Sequence, residues 1–379
     1  MKNLLLILLA STLLLLQSCG GSNASTLPES DELVTHAGNL RMMELSEGVT
    51  LVTLRNPWDT TKTLARYALL EEGAQIPEEL PQNVIKINVP LDRSVVYSGV
   101  HASLIDELGA GSAVTGICDA EFVNDAKIKA AIHAGKIADC GRNQAPNIEL
   151  IVSLRPQAVL MSPFEKGDGS EQFSRTGIPV VFTADYMEHT PLGRAEWMRF
   201  YGRLYGLPQQ ADSLFDEVAT KYNSLKKSLI QQTASTQGAR PTVLFDRVYS
   251  GVWNVPTSGS VTGQFIMDAC GANPFADYDK AGSAQLSVEE VVHNAGNADI
   301  WLIRYYEPVL TMKQLESDNP AYQQIKAFKT GQVYGANTLQ VPLFEDGAFH
   351  PHLVLEEMAR LLHPVPGSTD TLHYYKKIL

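Results

Sequence analysis

Hydrophobic and polar positions change rhythm several times along the chain. Residues 4–16 form a leucine-rich run interrupted only by Ser11 and Thr12. A helix of that length cannot cross a bilayer, which takes ~20 apolar residues. Residues 20–31 are polar and rich in Gly, Ser and Asn, the pattern of a flexible tether. Short alternating segments at 50–54 and 83–89 predict strands at a sheet edge, separated by a break at Asn56-Pro57-Trp58. Apolar runs at 94–97, 114–118, 158–161 and 178–183 predict further strands. Helices are predicted between them, one ending at Gly109 and one over 148–154. Strands alternating with helices imply βαβ units and a mainly parallel sheet.

The spacing becomes helical from 191 to 232. Trp197, Phe200, Tyr201, Leu204 and Tyr205 recur on one face, and the pattern resumes after Gly206-Leu207-Pro208 with Leu214, Phe215, Val218 and Leu225. Read as one near-continuous helix, ~40 residues would extend ~60 Å, enough to cross a protein of two lobes. Alternation of strand and helix then returns, with strands at 242–245, 299–303 and 332–334 and helices at 263–270, 288–293 and 351–362. Residues 146–160 and 286–302 share one grammar, a capped helix leading into a strand. Each half therefore reads as one α/β lobe.

The expected fold is α/β: two Rossmann-like lobes with mainly parallel sheets, joined by a long rigid α-helix. The expected boundaries are a signal peptide at 1–18, a tether at 19–32 and an N-terminal lobe at 33–190 that includes a strand-rich extension at 33–82. An interlobe helix follows at 191–232, then a C-terminal lobe at 239–379. Two lobes also suit the length, since single domains usually run ~50–200 residues.

Charge and chemistry narrow the setting. Lys2 before the apolar run and small residues after it describe a secretory signal. Leu16-Gln17-Ser18-Cys19-Gly20 resembles the lipobox of bacterial lipoproteins, although small residues are commoner at the position of Gln17. The resemblance implies that Cys19 becomes the acylated N-terminus and that the mature chain sits in the periplasm, held to the membrane by its lipid. An ordinary signal peptide that happens to contain a cysteine is the plainer alternative. The net charge of −12, with no basic cluster, argues against nucleic acid as a partner. Cys118, Cys140 and Cys270 lack the close spacing of a zinc site. Cys118 and Cys140 are either a disulfide or, with Cys270, small buried hydrophobes.

Several stretches together resemble the periplasmic binding proteins for ferric siderophores and cobalamin. They are 93–110, the block 146–160, Gly177-Ile178-Pro179-Val180, and the C-terminal 351–355 with Leu362-His363-Pro364. In that class a rigid helix joins the lobes, and one glutamate per lobe docks to arginines of a membrane permease. Asn147 reads as an N-cap that puts Glu149 at the second helical position, and Ser287 with Glu290 reads as a capping box that puts Glu289 at the equivalent place. The resemblance gives these two glutamates the docking role. Carboxylates in a first turn are also favoured by the helix dipole alone.

Ligands of open parallel sheets bind beyond the carboxyl ends of the strands. The candidates there are Ser98, His101, Arg142, Asn143, Phe164 and Tyr186 in the first lobe. The second lobe offers Arg247, Tyr249, Trp253, Arg304, Tyr305 and Tyr306, and Trp58 adds to them from the extension. Flat aromatics among arginines suit a bulky ligand with apolar faces and anionic edges. His350-Pro351-His352 lies at a helix start and reads as a turn rather than a metal site. No cofactor is expected; the bound ligand is expected to be a metal chelate, a ferric siderophore, cobalamin or related tetrapyrrole. The implied partners are the permease and ATPase of an ABC importer, with the protein itself a monomer. No GxSxG, HExxH or phosphate-cradling glycine loop marks an enzyme. A surface lipoprotein serving an outer-membrane transporter is the other reading in view.

Overall fold

The first four strands, β1 (Leu40–Ser46), β2 (Val49–Arg55), β3 (Thr63–Leu70) and β4 (Val84–Asn88), form a sheet of their own in that order. β1 to β3 are antiparallel, and β4 runs parallel to β3. Alternation divides their side chains between two faces. Leu40, Met42, Val52, Leu54, Tyr67, Leu69 and Ile87 join the main N-terminal core. Val49, Ala68 and Leu70 make a small cluster on the other face. The computed structural model describes residues 32–379 apart from 79, 166–169, 237–239, 279–281 and 366–370. The signal segment, Cys19 and nearly all of the tether lie outside the described residues. Among the described residues no helix is long and apolar enough to cross a membrane.

The N-terminal lobe follows. Its strands are β5 (Ser94–Val96), β6 (Val114–Ile117), β7 (Ala138–Asp139), β10 (Ala158–Met161) and β11 (Val180–Phe182), with a short pair β8 (Gly141–Arg142) and β9 (Ala145–Pro146) between them. The five are parallel in the order β11-β10-β5-β6-β7. β5 and β10 are buried at every residue, as strands covered on both faces must be. Helices α1 (Gly99–Glu107), α2 (Ala126–His133) and α3 (Ile148–Ser153) occupy the connections.

The segment read as one interlobe helix is three: α4 (Pro191–Ala195), α5 (Met198–Leu204) and α6 (Pro208–Thr236). The stop is local chemistry. Gly206 takes φ +68°, the left-handed region. The Leu207 N–H donates to the Gly202 carbonyl at 2.7 Å and the Gly206 N–H to that of Arg203 at 3.4 Å, the paired bonds that close a helix on a left-handed glycine. Pro208 then opens α6 at a position where its missing N–H costs nothing. The turn folds α5 back so tightly that a Cβ on Gly202 would lie 2.4 Å from the Ala211 Cβ.

The longest of the three, α6, runs from one lobe to the other. Ala211, Phe215 and Val218 on its first half belong to the N-terminal core, whereas Tyr222 and Leu229 belong to the C-terminal one. Tyr222 donates to Asp268 at 2.7 Å, and Lys226 pairs with Asp268 at 2.8 Å. A single 29-residue helix sunk in both cores couples the lobes mechanically.

The C-terminal lobe holds β12 (Val243–Phe245), β15 (Ile300–Tyr305), β16 (Val333–Asn337) and β17 (Lys376–Lys377), in that order. The first three are parallel and the last is antiparallel. β13 (Trp253–Pro256) and β14 (Ser283–Leu286) pair separately. Its helices are α7 (Val261–Asp268), α8 (Val288–Ala295), α9 (Met312–Asp318), α10 (Lys326–Lys329), α11 (Leu343–Phe349) and α12 (Pro351–Leu362). The two-lobed α/β architecture expected from the sequence is the one observed.

Buried glutamates fasten the peripheral segments. Glu196 accepts from the backbone N–H groups of Thr35, His36 and Ala37 at 2.6–3.0 Å. Glu188 accepts from those of Gly38 and Asn39 and from Trp197 Nε1 at 2.8–2.9 Å. Glu357 does the same for His373, Tyr374 and Tyr375 near the C-terminus at 2.8 Å. A buried carboxylate that collects several N–H donors repays part of its desolvation, and it fixes an irregular segment that no ladder holds.

Candidate functional site

The carboxyl ends of the parallel strands in both lobes face a cleft that contains two adjoining cavities. The first, about 280 Å³, is lined from the N-terminal lobe by Tyr186, Glu188, His189 and Arg194. The C-terminal lobe supplies Phe245, Phe265, Arg304, Phe344 and Tyr375, and the extension supplies Pro57. The second, about 240 Å³, lies beyond β5, β6 and β10 and is lined by Ser98, Asp119, Asn124, Asn143 and Ser162. Phe344 and Glu345 of α11 close its other side, so Phe344 stands on both cavities.

Each lobe contributes one arginine to the first cavity, and each arginine is steadied from behind by an aspartate. Arg304 is bound through Nε and Nη2 to Asp246, its Nε contact being 3.0 Å. Asp246 raises the pKa of Arg304 further above its ordinary value despite burial. Arg194 Nε donates to Asp185 at 3.1 Å. Asp185 is fully buried and also meets His101 Nε2 at 2.8 Å. Burial alone would raise its pKa, but His101 and then Arg194 hold it below the usual carboxylate value. Burial raises the pKa of Glu188, with Trp197 and the two backbone donors pulling the other way.

Direct bonds join the lobes around the cleft. Asn124 Nδ2 donates to the carbonyls of Thr338 and Val341 at 2.8 and 3.3 Å. His189 Nδ1 lies 3.0 Å from the Gly259 carbonyl. His350 Nε2 meets Glu107 Oε1 at 3.0 Å.

The structure gathers some of the residues singled out in the sequence and disperses others. Tyr186 and Arg304 line the first cavity, and Ser98 and Asn143 the second. Trp58 is half-buried beside the lining residue Pro57, its own N–H bonded to Asn56 Oδ1 at 2.9 Å. Trp253 is a core residue: it is 0% exposed, packs against Trp301 and Tyr322, and donates to the Phe245 carbonyl at 2.8 Å. His101 is buried with Asp185 and Tyr201 rather than facing a ligand. Arg247 is tied to Glu307 and, at 2.7 Å, to Asp318. Arg142 pairs with Glu121 at 2.6 Å on the surface. Tyr305 is half-buried against the core of the C-terminal lobe. Phe164, Tyr249 and Tyr306 are exposed outside both cavities.

The sequence reading missed Arg194, His189, Phe344 and Tyr375. Arg194 was hidden inside a segment assigned wholly to the interlobe helix. The apolar Leu343-Phe344 pair just after β16 was the available signal for the last wall.

The two glutamates sit as their caps predict. Asn147 Oδ1 accepts from the Leu150 N–H at 3.0 Å, which places Glu149 second in α3. Ser287 and Glu290 form both bonds of a capping box, at 2.9 and 3.2 Å, which places Glu289 second in α8. Both Glu149 and Glu289 are exposed. Cys118, Cys140 and Cys270 are buried free thiols. Burial, before any neighbouring charge, pushes Cys140 up to about 11. His350 and His352 are 6.0 Å apart between ring centres, and burial with the neighbouring His350 lowers His352 to about 4.

The profile of the periplasmic binding protein family matches residues 95–338. The chain belongs to that family. An uncharacterised lipoprotein of Methanocaldococcus jannaschii is 26% identical over 93% of this chain and 88% of its own length. A periplasmic heme binding protein from Pseudomonas aeruginosa superposes with a TM-score of 0.60 at 16% identity, covering 76% of this chain and 98% of that one. A protein of an ABC-type Fe3+-hydroxamate transport system from Saccharomonospora viridis superposes at 0.56 and 18% identity, over 72% and 94%. These likenesses establish a binding-protein fold.

Proposed function

We propose that the protein is the substrate-binding component of an ABC importer, that it is anchored outside the cytoplasmic membrane through a lipid on Cys19, and that it captures a metal chelate in the interlobe cleft. The observation that carries this reading is the lining of the first cavity: one arginine from each lobe, Arg194 and Arg304, among Tyr186, Phe245, Phe344 and Tyr375. Aromatic faces take up the apolar body of a chelate such as a tetrapyrrole or a ferric siderophore, and guanidinium groups take its anionic edges. Because Asp185 and Asp246 already orient the two arginines, little side-chain freedom is lost when a ligand arrives. The M. jannaschii relative is named a lipoprotein, which supports the anchor.

Binding of haemin, cyanocobalamin and ferrioxamine B by equilibrium dialysis tests the reading. At least one is expected to bind, and Phe344→Ala is expected to weaken it by ~1.5–3 kcal/mol, the order of one aromatic side chain's burial. Phe344 is exposed, so its removal should leave the melting temperature nearly unchanged. Failure of all three probes to bind would count against a chelate as cargo.

Delivery to a permease is assigned to Glu149 and Glu289, exposed on separate lobes at matched helix starts. Reversing their charge should leave ligand affinity intact, because neither residue lines either cavity of the cleft. Like-charge contact with permease arginines would then oppose docking. Glu149→Arg with Glu289→Arg is expected to abolish stimulation of transporter ATPase in liposomes. Undiminished stimulation by the double variant would leave only the helix-capping role.

A further inference from the structure

Residues 32–94 precede the region that matches the family, yet the hairpin joining β2 to β3 reaches the cleft. Pro57 at its tip stands on the wall of the first cavity with Glu188 and His189. The tip is tightly ordered. Asn56 Oδ1 accepts from the N–H groups of Trp58 and Asp59 at 2.9 and 3.1 Å. Asn56 N–H donates to the Lys62 carbonyl, and Lys62 N–H to the Asp59 carbonyl, both at 2.9 Å. Lys62 Nζ closes the tip on Asp59 at 2.8 Å.

The hairpin is also fastened to the cavity wall by an unbroken chain of short bonds. Arg55 N–H donates to the Asn39 carbonyl at 2.9 Å. Asn39 in turn gives its backbone N–H to Glu188 at 2.9 Å and its side-chain amide to the Met187 carbonyl at 3.0 Å. Met187, Glu188 and His189 are themselves cavity wall. A proline held this way presents a fixed, compact apolar surface and loses almost no freedom when a ligand packs on it.

We propose that this hairpin is a third wall of the ligand cleft, contributed by neither parallel sheet, and that Pro57 at its tip sets which chelates the first cavity admits. The proposal rests on the reading of the cleft as a chelate site. Pro57 stands on the wall against which a ligand in the first cavity would pack, so a larger side chain there reduces the room beside Glu188 and His189.

The test compares haemin, cyanocobalamin and ferrioxamine B, by equilibrium dialysis, on the full soluble chain and on three variants. Pro57→Trp puts a larger side chain into the cavity. Thr60→Trp places the same bulk on an exposed position of the same hairpin. The third variant replaces residues 57–61 with Gly-Gly and removes the wall. Pro57→Trp should weaken the probe that binds best at least tenfold, whereas Thr60→Trp should bind as the wild type does. The shortened hairpin should narrow the differences among the probes, and it decides the matter if Pro57→Trp does not fold. Unchanged strength and order of binding in the folded Pro57→Trp or shortened variant overturns the proposal while the chelate reading stands. If the wild type binds none of the probes, the chelate reading fails and the hairpin's role fails with it.

Discussion

Asp185→Ala should destabilise the protein by about 3–5 kcal/mol, the range seen when one partner of a buried ion pair is removed. Asp185 has no exposed surface and holds His101 at 2.8 Å and Arg194 at 3.1 Å. Without it, the Arg194 guanidinium loses its counter-charge and the His101 ring nitrogen loses its hydrogen-bond partner. Asp185→Asn should cost less, because an amide oxygen still accepts one hydrogen bond. The pH dependence has a definite sign. The folded carboxyl sits below its ordinary value, so its stabilising contribution is fully present above ~pH 4, where the unfolded group is ionised. The contribution is lost as pH falls through the depressed folded value. Urea melts of wild type and Asp185→Asn at neutral pH and under progressively more acidic conditions should therefore converge at the acid end. A constant gap between them down to the most acidic condition would mean that Asp185 does not carry this charge.

Trp253→Ala should cost a similar amount, about 3–5 kcal/mol, as an emptied aromatic core position does. Trp253 lies within 5.7 Å of Trp301 and 5.5 Å of Tyr322 between ring centres, and Trp301 lies 5.0 Å from Tyr322. Its indole N–H satisfies the Phe245 carbonyl, which the substitution would leave buried and unpaired. Chelate affinity measured well below the melting transition should change far less than stability does. A large loss of affinity with little loss of stability would return Trp253 to the cleft.

That residue illustrates what could and could not be read from the chain. Strand ends and helix starts were legible wherever capping or burial is local. The helix α12 begins at Pro351, and the caps Asn147 and Ser287 fall where side chains that accept N–H bonds predict them. The break at Gly206-Leu207-Pro208 was also written locally, yet the apolar stripe on both sides of it suggested one helix. A stripe records which face is buried and not whether the axis continues.

Side-chain direction was the harder part. Trp253 follows β12 closely, as a ligand contact would, but β13 turns it inward onto Trp301. Arg247 and Arg142 looked free as charges at strand ends, and both have carboxylate partners, Arg247 across sixty residues or more of sequence to Glu307 and Asp318. Arg194 and Phe344 come to one cavity from segments 150 residues apart. Long-range pairing of this kind has no local signal, so single residues of the cleft were less readable than its architecture.

The account stands most directly on what the cleft carries. Protein isolated from its own source without denaturation should show, by native mass spectrometry, an added mass equal to one bound molecule. Its visible absorption should be that of a corrin, a tetrapyrrole or a ferric chelate, and both should vanish together on unfolding. An added mass without visible absorption that proves on release to be a sugar, an amino acid or a peptide would contradict the assignment of a metal chelate as cargo.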